Sequence, residues 1–149
     1  MGPEVISGAV YGEAALANTP AIPLTFRGVV RAHGTLTLTS SKSHAQTIPS
    51  SAGTLVLKGT GYKDTTQTAN LKTCFFSQTL DATFSVLGGK STGAFAGASG
   101  PGAARIYFAA FEPRYTSGKH KGQCNGNANP LAKGAVASVL VSVVLTVKQ

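Results

Sequence analysis

The sequence predicts an all-β protein, an antiparallel β-barrel of about eight strands, with a β-sandwich as the alternative. Three observations lead there. Charged residues make up only 12% of the chain, well under the roughly 25% usual for soluble domains, and threonine, serine, glycine and valine take their place, a mixture poor for helices and good for half-buried strands. Apolar residues recur at every second position in several stretches, and none carries a helical stripe. Between Ser85 and Gly102, glycine falls at positions 88, 89, 93, 97, 100 and 102, each costing a helix roughly 0.5–1 kcal/mol relative to alanine. That segment reads as a strand, a compact kinked connection built around Phe95, and a returning strand.

Taken in order, Val5–Tyr11 alternates weakly and supplies a first strand. Gly12–Pro23 contains Asn18-Thr19-Pro20 and Pro23 and reads as a loop. Leu24, Phe26, Gly28 and Val30 then alternate with Thr25, Arg27, Val29 and Arg31, a half-buried strand with a basic outer face. Gly34 is expected to turn the chain into the next run, where Thr35, Thr37 and Thr39 alternate with Leu36 and Leu38. Ser40–Ser51 is polar, carries Pro49, and reads as a surface loop or irregular edge. Gly53–Tyr62 is a strand with Leu55 and Leu57 inward and Thr54 and Lys58 outward, and Lys63–Asn70 is a polar turn. Leu71–Phe76 and Thr79–Leu87 follow as strands, the second with Phe84 and Val86 on one face. Beyond the glycines, Ala104–Phe111 sets Ile106, Phe108 and Ala110 against Arg105, Tyr107 and Ala109. Glu112–Asn129 is a long loop, of a length that is usually functional or pinned. The last strand, Ala135–Lys148, lines one face with Val139, Val141, Val143, Leu145 and Val147, while Leu140 and Val144 add apolar character to the other, as in a strand covered on both sides.

The 149 residues suit one domain that buries about two-thirds of its unfolded surface; Met1–Glu4 reads as a start or tag remnant or a disordered N-terminus. Thirteen Lys and Arg against five acids leave a net charge of +8, which favours anionic partners. Because the cations are spread along the chain, the excess also serves simply to keep a weakly charged β-protein in solution. Cys74 and Cys124 are the only cysteines and read as one disulfide, hence an oxidising compartment, with two buried thiols as the alternative. Closing a loop of about 50 residues stabilises by roughly 4 kcal/mol in the chain-entropy model. No span approaches the ~20 apolar residues of a membrane helix; Ala132–Val147 is interrupted by Lys133, Ser138, Ser142 and Thr146. No signal-peptide pattern is present, so the chain reads as a mature secreted sequence.

No motif announces a reaction. Gly89-Lys90-Ser91 suggests a phosphate loop, but Phe84 stands where its first glycine belongs and no helix follows. Gly97-Ala98-Ser99-Gly100 lacks the final glycine of a nucleophile elbow, where Pro101 stands. His33, His44 and His120 lack metal-ligand spacing, and no cofactor is expected. Asp81 and Glu112 flank the strand pair around the glycines and would act as a carboxylate pair if they faced one cavity. Arg114, Tyr115, Lys119, His120 and Lys121 form the strongest local candidate for binding an anionic polymer or sugar, with a solvated loop pinned by Cys124 as the plainer reading. The chain lacks the interleaved aromatics of a nucleic-acid-binding fold, so no specific nucleic acid is expected.

The run L-G-G-K-S-T-G-A-F-A-G-A-S-G resembles a glycine-rich segment of the allene oxide cyclase and dirigent-type β-barrels, and of small secreted bacterial β-proteins carrying one cysteine pair. Gly88, Gly89, Gly93, Phe95, Gly97, Ala98 and Gly100 carry the match. The resemblance implies an eight-stranded antiparallel barrel in which these glycines are structural. It also implies, as an alternative to a non-catalytic binding or structural module at a cell surface, an isomerase, cyclase or coupling-guide function inside the barrel. Only fold is carried over, because fold alone does not give function. The partners this reading admits are a protein, an anionic glycan or polymer, or a second copy of the chain.

Overall fold

The computed structural model describes residues 2–17, 20–37 and 45–147. Eight strands follow one another: β1 (Gly2–Tyr11), β2 (Ala21–Gly28), β3 (Ala32–Thr37), β4 (Ala45–Ser50), β5 (Gly53–Asn70), β6 (Phe75–Val86), β7 (Pro101–Phe111) and β8 (Leu131–Leu145). Each pairs antiparallel with the next, and β1 closes on β8 from Gly2↔Leu145 to Tyr11↔Val136. The sheet is therefore a closed barrel and not a sandwich. Closure removes the sheet edges that would otherwise template association.

The alternation of the sequence becomes inside and outside. Ile6, Ile22, Leu24, Phe26, Leu36, Ile48, Leu55 and Val139, Val141 and Val143 of β8 fill the interior. Thr25, Arg27, Thr35 and Lys58 stay outside. At the base, where β1 begins and β8 ends, the glycine-rich connection folds under the barrel. A 3-10 turn at Gly93–Phe95 drives the fully buried Phe95 ring against Phe26, centroids 5.6 Å apart. The backbones there approach so closely that a Cβ on Gly88 would lie 2.2 Å from the Ala98 carbonyl oxygen, and one on Gly100 2.0 Å from that of Val144. Side chains cannot occupy those places, so glycine is required.

Several expectations need correction. Gly2–Glu4 opens β1 and pairs with Leu145–Val143, instead of forming a disordered N-terminus. Gly34 is not the turn: β2 and β3 are joined by residues 29–31, and Gly34 sits mid-strand opposite Leu24. The turn is held from beneath by Glu4, whose Oε2 accepts the Val30 N–H at 2.9 Å. Gly34 instead makes room, since a Cβ there would meet the Pro49 carbonyl oxygen at 2.5 Å and the Phe26 ring at 3.0 Å. Gly12–Pro23 is not all loop, because Gly12–Leu16 is a 3-10 helix and β2 starts at Ala21.

Within Ser40–Ser51, Ala45–Ser50 is β4, with Ile48 buried and Pro49 opposite Thr54. Lys63–Asn70 is no turn but the second half of β5, paired from Lys63↔Asp81 to Asn70↔Phe75. The turn comes at residues 71–74, where the Asn70 side chain accepts the Lys72 N–H at 2.9 Å and Cys74 adopts φ 59°. Leu71–Phe76 is consequently not a strand, and β6 runs unbroken from Phe75. Cys74 and Cys124 form the disulfide, sulfur to sulfur 2.07 Å. Leu38, Thr39, His44 and Lys148 lie outside the described residues, as do Met1, Asn18 and Thr19.

Candidate ligand cavity at the mouth of the barrel

Toward the end opposite the glycines, the described residues leave space unfilled. A cavity of about 510 Å³ enters there, within the range typical of small-molecule sites. Its existence follows from side-chain size along the alternation. Toward the base, Leu57 and Val86 pair across β5 and β6 and are buried, and Phe84, buried too, pairs with Gly59. At the level of the mouth the inward positions are Gly59, Ala82 and Ala104, which leave the volume empty. A register shift between Gly59 and Gly61 makes Thr60 an extra residue on β5, and its hydroxyl donates to Thr83 Oγ1 at 3.0 Å.

Apolar walls from β3 to β8 surround the space, among them Leu36, Ile48, Ile106, Val139 and Val141. Phe84 forms part of its lining, while Phe26 lies deep in the core against Phe95 and Phe108 meets Phe76 at 5.8 Å. Phe26 thus packs the base, Phe84, Val139 and Val141 line the cavity, and Phe76 and Phe108 lie toward the far end of β6 and β7. Polar groups gather at the rim. Gln46 donates to the Thr37 carbonyl at 3.3 Å, and Tyr62 is 73% exposed. Among the described residues lining this space there is no carboxylate, histidine or cysteine.

The sequence-derived candidates lie elsewhere. Arg114, Tyr115, Lys119, His120 and Lys121 occupy the connection from β7 to β8, which doubles back as a narrow hairpin. Tyr115 N–H donates to the Gln123 carbonyl at 2.9 Å, and Arg114 bridges to Cys124. Arg114 donates to the carbonyls of Gly122, at 2.7 Å, and of Lys72, which ties the loop to the β5–β6 turn beside the disulfide. The His120 ring packs against Tyr115 at 5.7 Å and shares a hydrogen bond with Gln123 at 3.0 Å. Lys119 and Lys121 are exposed. Three of the five side chains are therefore engaged in building the loop itself.

Asp81 and Glu112 do not share a cavity. Asp81 forms a two-pronged ion pair with Arg105 on the outer wall, at 2.8 and 3.0 Å. Glu112 follows the end of β7, about 20 Å further along at 3.3 Å per residue. Of the glycines named from the sequence, Gly93 and Gly97 have φ of 61° and 72°, in the left-handed region that disfavours side chains, Gly88 and Gly100 are hemmed in as described above, and Gly89 faces open space. Ser91 is buried, its hydroxyl accepting from Val56 N–H at 3.0 Å and donating to the Leu87 carbonyl at 2.9 Å. Ser99 is exposed and bridges to Thr146 through its backbone. His33 stands exposed on the outer face of β3, and among the described residues no three of His, Cys, Asp and Glu converge as a metal site.

The cavity lining went unread in the sequence because its signal is smallness: Gly59, Ala82 and Ala104 replace bulk at inward positions on three consecutive strands. Among the described residues no helix is long and apolar enough to cross a membrane. The chain matches no known family model, no curated protein and no solved structure.

Proposed function

We propose that this protein is an exported, non-catalytic binding module whose barrel mouth takes a small apolar molecule. The observation that carries the reading is the apolar cavity of about 510 Å³ at one end of an otherwise filled barrel. Burial of apolar surface supplies the affinity, at roughly 25 cal/mol per Å² before the cost of association. Rim groups such as Gln46 and Tyr62 supply orientation. Export is supported by the Cys74–Cys124 disulfide, since such bonds persist in oxidising compartments.

The neutral fluorophore N-phenyl-1-naphthylamine tests the reading. It should bind saturably and one to one, and Ala104→Phe, which fills the cavity, should abolish binding at an unchanged melting temperature. Uptake that is absent, or indifferent to Ala104→Phe, overturns it. The isomerase or cyclase alternative would use the same cavity. Turnover of a reactive epoxide that is lost in Tyr62→Phe or Lys58→Gln would favour that alternative over simple binding.

A further inference from the structure

A second concentration of chemistry lies at the opposite end, outside the barrel, on the β2–β3 hairpin. The ladder runs through Thr25↔His33 and ends at Phe26↔Ala32; Arg27, next along β2, and Arg31, the last residue of the connection, flank that rung and line one hollow. Phe26 and Ala32 are buried, whereas Arg27, Arg31 and His33 are exposed on the outer face. With Ser51 and Gly28 they line one shallow hollow of about 600 Å³.

Among the described residues no acidic side chain forms an ion pair with these cations. Of the five acids, Glu4 is turned inward, is 1% exposed, and is bonded to the Val30 N–H. Glu13 lies in the 3-10 helix that follows the far end of β1, and Asp64 pairs with Leu80 on the far half of β5. Asp81 is bound to Arg105, and Glu112 sits beyond β7. Like charges brought close together on a hairpin repel and weaken it, so two arginines on one hollow with a histidine beside them are at odds with stability alone. Arginine offers a planar fork of donors matched to a phosphate or sulfate, and two forks can hold such a group from both sides. Ser51 adds to the same hollow: its Oγ accepts the His33 N–H at 3.2 Å, leaving its own proton to donate.

We propose that the hollow formed by Arg27, Arg31, His33 and Ser51 is a binding site for a phosphate or sulfate group. The group would sit between the guanidinium forks and relieve their repulsion. This site is independent of the apolar mouth, and the loop of Lys119 and Lys121 plays no part in it.

Titration of the ¹⁵N-labelled protein with inorganic phosphate and with glucose 6-phosphate, followed by amide NMR, decides the matter. Saturable shifts should be confined to residues 25–33 and 51. Arg27→Gln/Arg31→Gln should weaken binding by about tenfold or more, as expected for loss of charge-assisted bonds. Lys119→Gln/Lys121→Gln removes the same charge and should leave affinity within about twofold at fixed ionic strength. Tighter binding of the sugar phosphate identifies an ester-bearing ligand, and equal binding identifies the free oxyanion; both uphold the site. Absence of saturation, or equal weakening by the two double variants, overturns it. N-phenyl-1-naphthylamine binding, measured in the same variants, should not change.

Discussion

The two ends of the barrel are built differently: the base is filled, and among the described residues the other end leaves a cavity. At the base, backbone does the work. The connection between β6 and β7 passes beneath the sheet, with glycines pressed onto carbonyls of neighbouring segments and the Phe95 ring inserted against Phe26. Glu4 sits there too, its carboxylate tying the β2–β3 turn to the floor. At the mouth the same alternation continues, but the inward residues are Gly59, Ala82 and Ala104, and nothing of size occupies the centre. The contrast teaches that a barrel of eight strands is plugged or open according to residue volume in each layer, not according to strand number.

The largest effect that bears on this contrast is expected from Phe95→Ala. It should cost about 4 kcal/mol, as for other fully buried phenylalanines, and lower the melting temperature by on the order of 10 °C. Phe76→Ala, at the half-buried far end of β6, should cost no more than about half as much. Equal losses in thermal unfolding would show that the mouth is as tightly packed as the base.

Next in size is the disulfide. Cys74→Ser/Cys124→Ser should cost about 2–4 kcal/mol, because the bond closes a sequence separation of 50 residues. Amide hydrogen exchange should then quicken first in the turn at residues 71–74 and the loop from Glu112 to Pro130, while residues around Phe95 stay protected. Uniform loss of protection would mean that the two ends unfold as one unit.

The smallest effect concerns Glu4. Burial raises its carboxyl pKa above the ordinary value, opposed by the bonds from the Val30 and Val29 backbone. A carboxyl whose pKa rises on folding lends stability that is fully present while it is protonated and is lost as pH climbs through the folded value. Glu4→Gln keeps an acceptor for Val30 and carries no charge. It should therefore match the parent below the carboxylate range and gain up to about 1 kcal/mol at neutral pH, read from melting temperatures against pH. A variant less stable at neutral pH would show that the ionised form is the one the floor needs.

Much of the architecture was legible in the residues, and the failures share one cause. Strands with one wet face, such as β2, β7 and β8, announce themselves because alternation records the difference between core and solvent. Lys63–Asn70 gave no such signal, since that half of β5 projects past the closed barrel and its Thr-rich pattern has no apolar side to display. β4 was hidden by Pro49 and by its single large apolar residue, Ile48. Gly34 misled because a glycine that admits a neighbouring ring looks, in sequence, like a glycine that turns. The loop cations stood out by proximity in sequence, although Arg114 and His120 are engaged with the loop's own groups. Arg27 belongs to β2 and Arg31 to the connection before β3, and only the folded hairpin brings both to one hollow.

What the sequence determined alone was the class, the inward face of most strands and the identity of the one disulfide, because a period of two and a lone pair of cysteines are local facts. Tertiary structure decided closure of β1 on β8, the position of the β2–β3 turn, the cavity at the mouth and the hollow that Arg27 and Arg31 share. Each of these depends on which residue stands across from which, and register between strands is a relation that no single stretch of chain contains.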